Sequence, residues 1–75
     1  MYALFVLVDL IRTHFPEKKI PAIGRSVRLT EDLKFDRAEL LKLYRMIKER
    51  FGVTIFPEKR FGNLGALADF IEDNW

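Results

Sequence analysis

Apolar side chains recur every three or four residues in three stretches of this chain, a spacing that places them on one face of a helix. The stretches lie within residues 2–14, 36–51 and 63–75. The predicted buried faces, in chain order, consist of Leu4, Leu7, Val8, Ile11 and Phe15; Leu40, Leu43, Tyr44, Ile47 and Phe51; and Leu64, Leu67, Ala68, Ile71 and Trp75. No stretch shows a sheet-like strand pattern, so the sequence predicts an all-α bundle in a single domain, residues 1–75.

Capping residues indicate where the predicted helices begin and end. Asp36 can accept the free amides at the start of the second helix, and Gly52 suits the left-handed residue that closes it. Asn63 is a comparable cap for the last helix. Residues 53–55 should cross over in an extended conformation, and a proline at the start of residues 57–61 predicts a short helix there. The prediction is therefore three main helices plus one short helix.

A long first loop, residues 16–29, joins the first two predicted helices and contains Pro16, Pro21 and Gly24. A loop of this length is uncommon in a compact domain unless its own side chains hold it down. The apolar residues predicted to fold over the helices are Ile20, Ile23, Val27 and Leu29.

The composition is that of a small globular domain, since 49% of the 75 residues are hydrophobic and 32% are charged. The absence of cysteine excludes disulfides, thiolate metal sites and a cysteine nucleophile. The net charge of +2 is too small to indicate nucleic-acid binding. The apolar run of residues 1–8 ends at Asp9, far short of the roughly 20 residues of a membrane span, so we expect a soluble, cytoplasmic protein without membrane contact.

Short motifs in residues 30–55, with a weaker echo near the end of the chain, resemble the acyl carrier protein family. The motifs that carry the likeness are Glu31-Asp32-Leu33, Asp36-Arg37-Ala38, Phe51-Gly52-x-x-Ile55, Asn63-Leu64 and Asp69-Phe70-Ile71. Helix order and the long first loop are also similar over the whole chain. The resemblance implies a helical bundle that carries acyl chains on a phosphopantetheine arm, which the family attaches to a serine at the start of the second helix.

That attachment serine is missing here. Arg37 occupies its position, and Ala38 replaces the leucine that usually follows. A guanidinium has no nucleophilic oxygen and stays protonated at any working pH. The only serine in the chain, Ser26, lies in the first loop. We therefore predict that phosphopantetheine is not attached, that the chain has no other cofactor, and that it is not an enzyme.

The second predicted helix has a basic outer stripe. The candidate partner-binding residues on and beside it are Arg37, Leu41, Lys42, Arg45 and Lys48. Residues 36–50 contain five basic and three acidic side chains, whereas the resemblance implies an acidic helix at this place. Two interpretations are open: a solvated face, in which Glu39 and Lys42 form an ordinary helix pair, or an interface for a partner with an acidic surface.

Our first hypothesis is a non-catalytic interaction module that resembles an acyl carrier protein and uses its basic second helix to bind an acidic partner. The alternative is a genuine acyl carrier protein in fatty acid, lipid or polyketide biosynthesis. A third possibility, a small nucleic-acid-binding domain, is disfavoured by the length of the first loop and by Asp69, Glu72 and Asp73 in the last helix.

Other candidate chemistry has a simpler structural explanation. His14 is the only histidine and suits the end of the first helix, where a cation interacts favourably with the helix dipole. The carboxylates near the second helix, which are Glu31, Asp32, Asp36 and Glu39, are explained by capping, so no metal site is predicted. On the outer side of the first helix, Tyr2, Phe5 and Val6 are either fraying residues or an apolar contact patch for a partner or for weak self-association with a second copy.

Overall fold

The computed structural model describes residues 2–18, 20 and 24–75. It contains three helices, α1 (Tyr2–His14), α2 (Arg37–Phe51) and α3 (Leu64–Asn74), and the described residues include no strand. Helix α1 packs against both other helices, most extensively against α3. The predicted all-α bundle is therefore confirmed.

The predicted caps form as expected. The Asp36 carboxylate accepts a hydrogen bond from the Glu39 backbone N–H at 2.8 Å, and the Glu39 carboxylate accepts one from the Asp36 N–H at 3.0 Å. Gly52 closes α2 with φ 75°, a left-handed conformation that glycine adopts without steric cost. Asn63 Oδ1 accepts the Ala66 N–H at 2.8 Å at the start of α3.

The predicted short helix over residues 57–61 does not form, so that prediction is wrong. The segment makes a single turn in which the Lys59 N–H donates to the Phe56 carbonyl at 3.0 Å. One turn fixes several backbone angles for a single hydrogen bond, so it needs apolar packing to extend. Residues 57–60 are all exposed and supply none.

The core contains nearly all the residues predicted from periodicity. All of the predicted face residues except Trp75 are buried. Trp75 follows the last residue of α3 and is 58% exposed, because the helix face no longer continues at that position. Its ring packs edge-on against Phe51, with centroids 5.1 Å apart, and stacks on Tyr2 at 5.4 Å. Buried apolar residues outside the predicted faces are Ala3, Ile20, Leu29, Leu33, Phe35, Val53 and Ile55.

The end of the first loop is fastened to the start of α3. The Leu64 N–H donates to the Val27 carbonyl and the Gly65 N–H to the Arg25 carbonyl, each at 2.9 Å. These bonds satisfy amides that a helix start otherwise leaves without partners. Ile20 and Leu29 are buried and Val27 is half-buried, which confirms these three as loop anchors. The predictions for Pro21 and Ile23 lie outside the described residues.

Lys18 connects the first loop to the start of α2. Its Nζ lies 3.0 Å from Glu39 Oε1 and 2.9 Å from the Lys34 carbonyl oxygen, and 5.1 Å from the centroid of the Phe35 ring. Glu39 therefore pairs with Lys18 and not with Lys42, the partner expected from helix spacing. The Lys42 ammonium lies over the Phe15 ring instead, 5.4 Å from its centroid.

The Glu39 carboxylate should make the stability of the domain sensitive to acid. The Asp36 N–H and then the Lys18 ammonium hydrogen-bond its ionised form and hold the pKa of Glu39 below its usual 4.5. A depressed folded-state pKa stabilises the fold above the unfolded pKa, and this stabilisation is lost as the pH falls through the folded value. In urea unfolding, Glu39→Gln should be less stable than the parent at neutral pH, and the difference should vanish in acid. A difference that does not change with pH would contradict this role.

Candidate protein-interaction surface

The structure places most of the predicted partner-binding residues along one side of α2. Arg37, Arg45 and Lys48 are exposed and Leu41 is half-buried. Their spacing of three or four residues puts them on neighbouring turns of the same helix face. Lys42 is also exposed but points toward Phe15, so it does not belong with the other residues.

An open groove of about 370 Å³ lies between this side of α2 and the chain that returns after Gly52. The residues that line it are Leu41, Tyr44, Arg45, Lys48, Thr54, Ile55 and Pro57. Leu41, Arg45 and Lys48 were predicted from the sequence, whereas Thr54, Ile55 and Pro57 were not. Buried Tyr44 and Ile55 contribute apolar surface to the groove, and the two cations lie together on the α2 wall. The groove therefore combines an apolar lining with positive charge on one side.

Tyr44 connects α2 to the chain that returns after Gly52. Its hydroxyl donates to the Lys59 carbonyl at 2.8 Å, and its ring meets Phe61 edge-on with centroids 6.3 Å apart. Burial raises the pKa of the Tyr44 phenol, and the positive charge of Arg60 opposes that rise. These contacts hold the turn around Pro57 against α2, and Pro57 is part of the groove lining.

Replacing Tyr44 with phenylalanine should cost about 1 kcal/mol of unfolding free energy, because the partly buried hydrogen bond to the Lys59 carbonyl is lost while the ring remains. Tyr2→Phe is the matched control. The Tyr2 hydroxyl accepts a weaker, exposed hydrogen bond from Arg50 at 3.3 Å, and its loss should change stability much less. Urea unfolding of the two variants measures this difference, and equal losses would show that Tyr44 does not secure the turn.

The positive charge near the groove is not neutralised by the residues that the structure describes. Residues 37–60 contain seven basic and three acidic side chains. The side chains of Arg45 and Lys48 form no hydrogen bond or ion pair with any residue that the structure describes. In α3, by contrast, Asp69 pairs with Arg25 at 2.6 Å and Glu72 accepts the Ala3 N–H at 3.2 Å. Arg45 and Lys48 are therefore available to an external negative charge.

The start of α2 has no hydroxyl side chain at the position where the resemblance to acyl carrier proteins would place the attachment serine. Arg37 is the first residue of α2, directly after the cap Asp36, and its side chain is exposed. Ser26 is also exposed, but it lies between the two loop residues that fasten α3, Arg25 and Val27.

The aromatic patch predicted on α1 is only partly as expected. Tyr2 and Phe5 are about half exposed, at 55% and 54%. Val6 is half-buried against the core and so is a poor contact residue. Tyr2 is held by its stacking on Trp75 and by Arg50, which argues against simple fraying. Self-association through this patch remains a prediction.

The carboxylates near α2 are engaged with backbone amides and cations. The Asp32 carboxylate accepts the Arg28 N–H at 2.8 Å, and Glu31 pairs with the Arg28 guanidinium at 2.9 Å. Across residues 2–18, 20 and 24–75, no three His, Cys, Asp or Glu side chains are grouped as metal ligands would be. Within the same ranges, no helix is both long enough and apolar enough to cross a bilayer.

Comparison of the chain with protein-family models, curated proteins and solved structures found no match.

Proposed function

We propose that this chain is a non-catalytic protein-interaction module that binds an acidic segment of a partner protein in the groove beside α2. The observation that carries the proposal is the pairing of an open apolar groove with the unneutralised cations Arg45 and Lys48 on its wall. If the basic residues were only a solvated helix face, no groove would be expected beside them. If the groove bound only apolar groups, no cations would be expected on its wall. The combination suits a partner that carries both apolar and acidic side chains.

The interaction module is best understood as an acyl-carrier-like cytoplasmic protein that lacks the prosthetic arm. The all-helical bundle with a long first loop supports that likeness, and so do the motifs around α2. The basic character of α2 is opposite to that of the family, so partners built for an acidic carrier should be repelled. The partner should instead present a negative surface, as a component of a biosynthetic complex.

The alternative, a genuine acyl carrier protein, makes a different prediction about covalent modification. Incubation with coenzyme A and a broad-specificity phosphopantetheinyl transferase should leave the intact mass unchanged, because Arg37 offers no alcohol for attack on the pyrophosphate. The variant Arg37→Ser with Ala38→Leu restores the motif and tests whether the scaffold is still recognised. A gain of one phosphopantetheine on the parent chain, at Ser26 or elsewhere, would establish the alternative.

Binding can be tested with a defined probe, a short capped peptide in which glutamate alternates with valine. The peptide should bind with an affinity that falls as salt rises, because exposed charges are screened. A peptide with lysine in place of glutamate should not bind. Single-stranded DNA serves as the second control, and DNA that competes with the acidic peptide at equal concentration would favour nucleic-acid binding instead.

A further inference from the structure

The segment between α2 and the turn at Pro57 has the burial pattern of a β-strand, but it pairs with no other strand in the described part of the chain. Val53 and Ile55 are buried, whereas Thr54 and Phe56 are exposed, and this period of two is typical of an extended backbone. All four residue types favour strands. Left-handed Gly52 before the segment and Pro57 after it, which has no N–H, limit it to residues 53–56.

Seven of the eight backbone polar groups of this segment have no hydrogen-bond partner among the described residues. None of the N–H groups of residues 53–56 and none of the carbonyls of residues 53–55 forms a hydrogen bond there, while the Phe56 carbonyl accepts only the Lys59 N–H. Such groups are paired either by water or by another chain, and a row of them along an extended segment is a template for another strand. Because Thr54 and Ile55 also line the groove, the segment borders the candidate site.

We propose that the partner's acidic segment binds in an extended conformation and adds a strand along residues 53–56. This inference rests on the proposed function and specifies its mode of recognition. Main-chain hydrogen bonds to the segment would provide register, and alternate side chains would reach the groove. Apolar side chains on the groove-facing side of the added strand contact Leu41 and Tyr44, and the long, exposed side chains of Arg45 and Lys48 reach the carboxylates on its other side. The exposed ring of Phe56, with 71% of its surface accessible, packs beside the added strand.

Charge favours a foreign acidic strand over a second copy of this chain. If residues 53–56 of two copies paired with each other, each would bring Arg45 and Lys48 to the same interface. Like charges placed opposite one another are destabilising, whereas glutamates on a partner strand are attracted. The open strand edge and the basic wall therefore select the same ligand, an extended acidic peptide.

N-methylation of the peptide probe separates strand pairing from charge attraction. One version of the glutamate–valine peptide is methylated on every glutamate nitrogen and the other on every valine nitrogen. Each version therefore blocks the N–H groups along one edge of the extended peptide, while the side chains and the charge stay unchanged. Only one edge of an added strand faces residues 53–56, so one version should lose affinity roughly tenfold or more and the other should bind like the parent peptide. The parent peptide should also slow hydrogen exchange of amides within residues 53–56 by about tenfold or more.

The outcomes distinguish this inference from the proposed function. If both methylated peptides bind like the parent, and the Arg45→Glu, Lys48→Glu variant loses binding, strand addition is overturned and the acidic-partner function stands. Failure of the parent peptide to bind overturns both. Amide protection in residues 53–56 that rises with protein concentration in the absence of peptide would identify a second copy as the occupant and also overturn the inference.

Discussion

The double substitution Arg45→Glu, Lys48→Glu is expected to weaken binding of the acidic peptide roughly 100-fold. Placing like charges across an interface costs several kcal/mol, and each 1.4 kcal/mol changes a dissociation constant about tenfold. Both side chains line the groove and neither is engaged by another described residue, so the change acts on the ligand and not on an internal ion pair. Isothermal titration of the peptide into each protein measures the effect.

The matched control is Arg12→Glu with Lys34→Glu, which changes net charge equally at exposed positions outside the groove. It should bind the peptide within about threefold of the parent. Helicity by circular dichroism should be unchanged in both variants. A glutamate introduced at position 45 would face Glu49 one turn away, and an Arg45→Gln, Lys48→Gln variant avoids that repulsion. Equal losses in the groove variant and the control would show that only net charge matters.

The substitution Gly65→Ala is expected to destabilise the domain by about 1–3 kcal/mol, even though alanine favours helices over glycine. A Cβ at this position would lie 2.8 Å from Arg25 Cβ and 3.0 Å from the Arg25 carbonyl oxygen. The same carbonyl accepts the Gly65 N–H, so relieving the contact would separate the first loop from α3. A loss of this size lowers the melting temperature of a domain this small by roughly 4–8 °C per kcal/mol.

Gly62→Ala is the control for this prediction, because a Cβ at Gly62 meets no atom within 4 Å. Its melting temperature should stay close to that of the parent. If Gly65→Ala instead raises the melting temperature, helix propensity outweighs the close approach of Arg25, and the loop is not held against α3 as the structure indicates.

The helices and most of the core could be predicted because periodicity and capping are local properties of the sequence. Asp36, Gly52 and Asn63 each satisfy backbone groups within a few residues, so their roles do not depend on distant parts of the chain. Trp75 was misassigned because its spacing continues the α3 face, while its backbone lies beyond the helix. The short helix was misassigned because a proline can start a helix but cannot supply the packing that extends it.

Of the residues that line the candidate site, the sequence could predict only those on the α2 wall. The repeat of Leu41, Arg45 and Lys48 is visible in the sequence because one helix positions all three. The second wall depends on where the chain returns after Gly52 and on the bond between the Tyr44 hydroxyl and the Lys59 carbonyl, which are separated by 15 positions. Such tertiary contacts leave no local signal. The run of strand-favouring residues at 53–56, bounded by Gly52 and Pro57, was the one available hint.

The most direct test of the central claim is a residue-by-residue map of where the acidic peptide binds. Titration into isotope-labelled protein, followed by backbone amide chemical shifts, should move the signals of Leu41, Arg45, Lys48, Thr54 and Ile55 together with one dissociation constant. Signals of the aromatic patch at Tyr2 and Phe5 should remain in place. Shifts concentrated at that patch, with the groove signals unmoved, would contradict the assignment of the binding site to α2.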